Sequence, residues 1–208
     1  LRAATVLVVM GLTTPALAQE GSSEPGPDVV ARADAAFHDA KRLLDEERIE
    51  EACAKFEASQ SLAPGSGTLL NLGDCYERLG RTASAWATFR AAAALARSKN
   101  KAERAEEGVA RAAALERRLS KVRIVVPDDV RGTPGLVVQR GDVEVDPTRF
   151  GAATPVDPGL VVVRADAPGY AGWSTTLTIP KTPGVVNVEV PALRLQTPEP
   201  APAPAPAP

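Results

Sequence analysis

The sequence predicts an α+β chain of two domains, an N-terminal array of α-helical hairpins closed by a capping helix and then a small all-β sandwich. Three observations carry this. Between residues 68 and 95, apolar and small side chains recur every three or four positions on both sides of Gly80, the spacing of two buried helical faces. The same block repeats 33 residues upstream, with Ala40 falling on Gly73. Past Lys121 the period drops to two, and short β-branched runs alternate with Pro, Gly and Asp.

Taken in order, residues 3–12 are apolar and are followed by Ala16-Leu17-Ala18 and then Gln19. That is the pattern of an export signal with a small-x-small cleavage site, assigned to residues 1–18. The run is too short to span a bilayer, and no Cys follows Ala18 to make the lipoprotein form. Residues 19–27 read as a Gly/Ser/Pro linker.

The helical domain is assigned to residues 28–120. Asp28, after Pro27, is expected to cap the first helix, and Phe37, Leu43 and Leu44 to form its inner face. In the second hairpin Leu69, Leu72, Gly73 and Tyr76 face Ala85, Phe89, Ala92 and Leu95. Small residues at Gly73, Ala85 and Ala92 permit close backbone approach, while Tyr76 and Phe89 fill the seam. A third helix over residues 99–120, with Ala102, Ala105, Val109, Ala112, Leu115 and Leu119 on one stripe, is expected to cover the open end of the array. Its other face carries Arg97, Lys99, Lys101, Arg104, Arg111, Arg117 and Arg118 with Glu103, Glu106, Glu107 and Glu116 between them, and reads as a solvated face, with a basic interaction surface as the alternative.

Cys53 and Cys75 sit at similar depths in neighbouring antiparallel helices, since each residue rises ~1.5 Å along its helix. Two readings fit: a disulfide, favoured in an exported protein, or two small buried hydrophobes. A metal site is not expected, because no third ligand accompanies the pair.

Laying Ala40, Leu43, Ala52, Phe56, Ser59 and Leu62 on Gly73, Tyr76, Ala85, Phe89, Ala92 and Leu95, with a closing Pro64, gives a pattern that resembles the tetratricopeptide repeat (TPR), whose period is about 34. The resemblance covers about residues 28–95; Ala40 and Glu47 stand where that family prefers glycine. It implies an array used for protein–protein interaction. The side chains that avoid the buried seam, Phe37, His38, Lys41, Leu70, Asn71, Asp74, Arg78 and Lys101, are expected to line or border its groove. Asn71 and Lys101 fall where some members grip a peptide carboxylate, but Phe37 replaces a lysine of that clamp, so the clamp itself is not expected.

The β domain is assigned to residues 121–195. Residues 154–179, TPVDPGLVVVRADAPGYAGWSTTLTI, resemble the PEGA-type surface β-domain of bacterial envelope proteins, with Val156-Asp157-Pro158-Gly159 in place of the literal tetrapeptide. Gly159 and Gly169 suit turns that need positive φ. Tyr170 and Trp173 are read either as packing residues or as an aromatic contact for a sugar or peptide. Residues 196–208 alternate Pro and Ala and are expected to form an extended spacer.

These readings point to a non-enzymatic interaction scaffold of the bacterial envelope that binds a protein or peptide in the helical groove. The alternative is a cell-wall or polysaccharide-binding module acting through the β domain. No catalytic residue, cofactor or metal is expected. The only histidine, His38, stands alone beside Asp39, and no phosphate loop, nucleophile elbow or zinc spacing is present. A formal charge of −2 and few aromatics argue against nucleic acid. A membrane anchor is expected only if the chain continues beyond Pro208.

Overall fold

The structure, a computed structural model, describes residues 25–196. The expected export segment, most of the 19–27 linker and the Pro/Ala tail from residue 197 lie outside the described residues. The described chain is α+β in two parts, helices first and two sheets after them. None of its helices is long and apolar enough to cross a membrane.

The helical part comprises α1 (Pro27–Asp45), α2 (Ile49–Leu62), α3 (Ser66–Arg78), α4 (Thr82–Ser98) and α5 (Ala102–Glu116), each packed on the next. Three of the four reversals are built alike. Glu47, Gly80 and Asn100 have φ of 58°, 73° and 55°, and the next N–H donates five residues back: Arg48 to Leu43 O at 2.9 Å, Arg81 to Tyr76 O at 2.9 Å, Lys101 to Ala96 O at 2.8 Å. This closure satisfies carbonyls that a helix end otherwise leaves without partners. The carbonyls of Arg48, Arg81 and Lys101 then accept from Ala52, Ala85 and Ala105, starting the following helix.

The two hairpins also match in depth. Ala40 and Gly73, Leu43 and Tyr76, Ala52 and Ala85, Phe56 and Phe89, and Ser59 and Ala92 are all buried. A Cβ at Gly73 would stand 2.5 Å from Phe89 Cε1, so the missing side chain is what lets the ring lie against α3. Cys53 of α2 and Cys75 of α3 are joined as a disulfide with Cα atoms 5.6 Å apart.

Two sequence expectations need correction here. Asp28 is not the cap: Pro27 opens α1 with Gly26 before it, and Asp28 lies in the first turn, where its charge faces the helix N-terminus. The third helix ends at Glu116, and its buried face is Ala105, Gly108, Ala112 and Leu115, while Val109 is 44% exposed. Gly108 sets this rotation. A Cβ there would stand 2.7 Å from Phe89 O, so the missing side chain lets α5 lie close against the α4 backbone.

The β part contains β1 (Ser120–Val125), α6 (Asp128–Arg131), β2 (Val137–Arg140), β3 (Val143–Glu144), a short 3-10 helix (Pro147–Arg149), β4 (Ala153–Pro155), β5 (Gly159–Asp166), β6 (Trp173–Ile179) and β7 (Gly184–Glu189). One sheet has the order β4-β1-β7 and the other β3-β2-β5-β6. In the first, β4 is antiparallel to β1, while β7 runs parallel to it, from Ser120 opposite Gly184 to Val125 opposite Glu189. Val122, Ile124 and Val188 of this sheet meet Val138, Val163 and Ala165 of the other in one apolar cluster, so the sheets pack face to face. Gly159 and Gly169 both have positive φ, 128° and 79°.

One side chain fastens the parts together. Asp157, between β4 and β5, accepts from Ser84 N at 2.9 Å through Oδ1 and from Ser84 Oγ at 2.5 Å through Oδ2. Arg81 Nε stands 3.6 Å from Oδ2. Ser84 is the third residue of α4, whose own N-cap position makes no side-chain cap bond. Asp157 thus supplies from the β part the acceptor that a helix N-terminus requires.

Candidate functional site

Helix α3 lies between α2 and α4 and is covered on both sides, which leaves one stripe open. Leu70 falls on the covered side: it is 7% exposed and belongs to the helical core, so it does not line a groove. The open stripe is Gly67, Asn71, Asp74 and Arg78, at the three-or-four spacing of one helical face. Asn71 Nδ2 donates to Gly67 O at 2.8 Å, so its amide is used within its own helix.

Helix α5 runs beside this stripe and contributes what the sequence reading left on a solvated face. Arg104, Arg111 and Arg118 are seven apart, which places them along one side of the helix and the turn that follows it. Arg104 lies over Gly67, its Cζ within 3.6 Å of where a Cβ would stand. Arg111 is half-buried, with its guanidinium 4.6 Å from the centroid of the Phe89 ring. Its Nη2 pairs with Asp74 Oδ1 and stands 3.2 Å from Glu77 Oε2. Arg118 Nη1 is 2.7 Å from Glu77 Oε1. Together Asp74, Glu77, Arg78, Arg111 and Arg118 line an open recess of about 530 Å³.

The electrostatics follow from these pairs. Burial pushes the Glu77 carboxyl up, but the hydrogen bonds from Arg118 and Arg111 outweigh it and hold Glu77 below its usual range. Burial likewise works against the Arg111 charge, and Asp74 and Glu77 more than restore it. Both carboxylates of the recess are thus paired with Arg111 of α5 and Arg118 of the turn after it. Arg78, exposed at the rim, has no carboxylate in ion-pair reach among the described residues. Arg78 is therefore the guanidinium of the recess left without an acid, and such a planar cationic donor favours a carboxylate.

The other expected groove residues do not converge on this point. Phe37, His38 and Lys41 belong to α1, which packs chiefly on α2. Phe37 is half-buried against Phe56, ring centroids 5.4 Å apart, with exposed His38 edge-on to it at 5.9 Å. Lys101 holds the turn before α5. The structure thus unites Asn71, Asp74 and Arg78 and leaves the α1 trio as a separate patch. Glu77 was not singled out in the sequence, and Arg111 and Arg118 stood there only among the other charges of the third helix.

In the β part, Trp173 opens β6 and packs half-buried against the sandwich core, opposite Ala165 of β5. Tyr170 is half-buried, its backbone bridged to Leu195. Among the described residues, no cluster of three or more His, Cys, Asp or Glu side chains is arranged to hold a metal ion. Comparison with known proteins returns no family model that matches the chain and no curated protein that matches it.

Proposed function

We propose that this chain is a non-enzymatic docking protein of the bacterial envelope, receiving an acidic segment of a partner protein in the recess between α3 and α5. The observation that carries the reading is the Arg111 guanidinium, held between the Phe89 ring and the Asp74 and Glu77 carboxylates, with Arg78 left over at the rim. A side chain ordered on three sides presents its remaining donors at little entropic cost, and docking surfaces gain affinity that way. The hairpins are taken as TPR-type units on the strength of their matched depths and turn hydrogen bonds, and the β part as a PEGA-like spacer. The assignment to the exported compartment draws on residues 1–18 and on the Cys53–Cys75 bridge. Sugar binding through Tyr170 and Trp173 draws less from the geometry, since both are half-buried.

Site-specific photocrosslinking in cells tests this. A photoreactive residue at exposed position 114 on α5, one turn from Arg111, should give a discrete adduct that one at exposed Ala58 on α2 does not, and Arg78→Glu should abolish it. Equal labelling from both positions, or none from 114, overturns the assignment.

A further inference from the structure

Beside β3 and β4, each an edge strand of its sheet, is a cavity of about 330 Å³ lined by residues of both sheets. Its apolar lining is Val122 and Ile124 of β1, both buried, with half-buried Val145 and exposed Val143. Two guanidiniums also line it. Arg140, the last residue of β2, is half-buried, and Arg149 comes from the 3-10 helix that joins the two edges. Among the described residues neither has a carboxylate within ion-pair distance or a side-chain hydrogen bond.

That arrangement is costly as it stands. Burial and the like charge of Arg149 both push the Arg140 guanidinium below its usual value, because a desolvated cation beside another cation lacks the compensation a buried charge requires. The acids of the lining do not supply it. Asp146 Oδ1 accepts from Thr148 N at 2.8 Å and from Thr148 Oγ1 at 2.7 Å, which holds it as the cap of the 3-10 helix. Glu144 is exposed on β3.

We propose that this cavity binds a small carboxylate on a short branched aliphatic body, with the carboxylate on Arg140 and Arg149 and the body against Val122, Ile124, Val143 and Val145. Size, apolar wall and paired forks all match such a ligand. The lining also holds Glu144 and Asp146, neither paired with an arginine among the described residues, so a second negative charge on the ligand adds repulsion and a monoanion is favoured over a phosphate dianion. Two sources carry the same chemistry, a free short-chain acid and the C-terminal residue of a peptide. The site is in the β part and does not rest on the α3–α5 recess.

Calorimetric titration of the full chain tests it, with 3-methylbutanoate as free acid, acetyl-Ala-Val as peptide acid, its C-terminal amide, and isopropyl phosphate. Saturable binding of an acid is expected with Kd on the order of 1 mM, the range reached by roughly seven non-hydrogen atoms. A tighter peptide acid identifies the C-terminal source; binding of the free acid alone identifies the other. Arg140→Gln should weaken binding about tenfold or more, and Arg140→Lys, which keeps the charge without the fork, by less. Absence of saturable binding to the unaltered chain, an amide as good as the acid, a phosphate that binds more tightly than either acid, or a folded Arg140→Gln variant within about twofold of the original overturns the proposal.

Discussion

Replacing Asp157 with alanine removes the one side chain that caps α4 from the β part. Two hydrogen bonds are lost, to Ser84 N at 2.9 Å and to Ser84 Oγ at 2.5 Å, together with the weaker attraction to Arg81 at 3.6 Å. Loss of a cap costs ~1 kcal/mol in ordinary helices, and a bond to a charged acceptor is worth about 1.5–3 kcal/mol. Asp157 is one-quarter exposed, so water recovers part of this. The expected destabilisation is about 2 kcal/mol. Asp157→Asn keeps an acceptor for Ser84 N without the charge and should cost about half as much. The measurement is urea unfolding followed by far-ultraviolet circular dichroism and by tryptophan fluorescence, which reports on Trp86 in α4 and Trp173 in β6. Coincident transitions in the unaltered chain should separate in Asp157→Ala, because the helices and sheets then unfold with less mutual support. A loss below about 0.5 kcal/mol, or an additive double variant with Ser84→Ala, would refute the capping argument.

Four further outcomes are expected. Removing the Cys53–Cys75 bridge by a double Cys→Ser change opens a loop of sequence separation 22 and should cost about 3 kcal/mol; calorimetry would read this as a melting point lower by roughly 6–12 °C, and an unchanged melting point contradicts it. Glu47, held at φ 58° where the matching position is Gly80, should gain about 0.5–1 kcal/mol on Glu47→Gly, and denaturant midpoints showing a loss would overturn the strain argument. Burial, and then the hydrogen bond to Glu57, push the Tyr76 hydroxyl from 10.0 up to about 12. The folded state therefore holds this proton more firmly than the unfolded chain, so the contribution is complete below pH 10 and is lost as pH rises toward 12; a Tyr76→Phe variant should show less of that decline, and ultraviolet titration finding Tyr76 ionised near pH 10 rejects the premise. Gly108→Ala should destabilise by about 1–3 kcal/mol through the contact with Phe89 O, as measured by urea midpoint.

Much of the helical part was legible because its evidence is local and repeated. Ala40 on Gly73 and Phe56 on Phe89 state the period outright, and Gly80 marks the reversal between two apolar runs. The errors arose where a helix has more than one neighbour. Leu70 looks free on a helical wheel, yet it is buried in the helical core. Val109 fits the spacing of α5, but contact is set by Gly108, and a residue adjacent in sequence lies about 100° away around a helix. Arg111 was indistinguishable from its charged neighbours until Phe89, Asp74 and Glu77 were placed beneath it. In the β part, β4 and α6 are too short to show any period. Asp157 gave no sign of its role, because the group it serves lies 73 residues away along the chain.

The parallel pairing of β1 with β7 governs how this protein would behave under tension. The helices join β1 at Ser120, whereas the chain leaves β7 at Glu189, beside Val125 at the far end of the ladder. A pull applied between the helical part and the segment after β7 drags the two strands lengthwise past each other, so their hydrogen bonds must yield together instead of one by one. Ser120 Oγ, 2.7 Å from Pro180 O, adds a tie at the end where the load enters. Stretching a single molecule from residue 25 to residue 196 should give a markedly higher rupture force than gripping it at residues 120 and 184, where the same ladder is peeled.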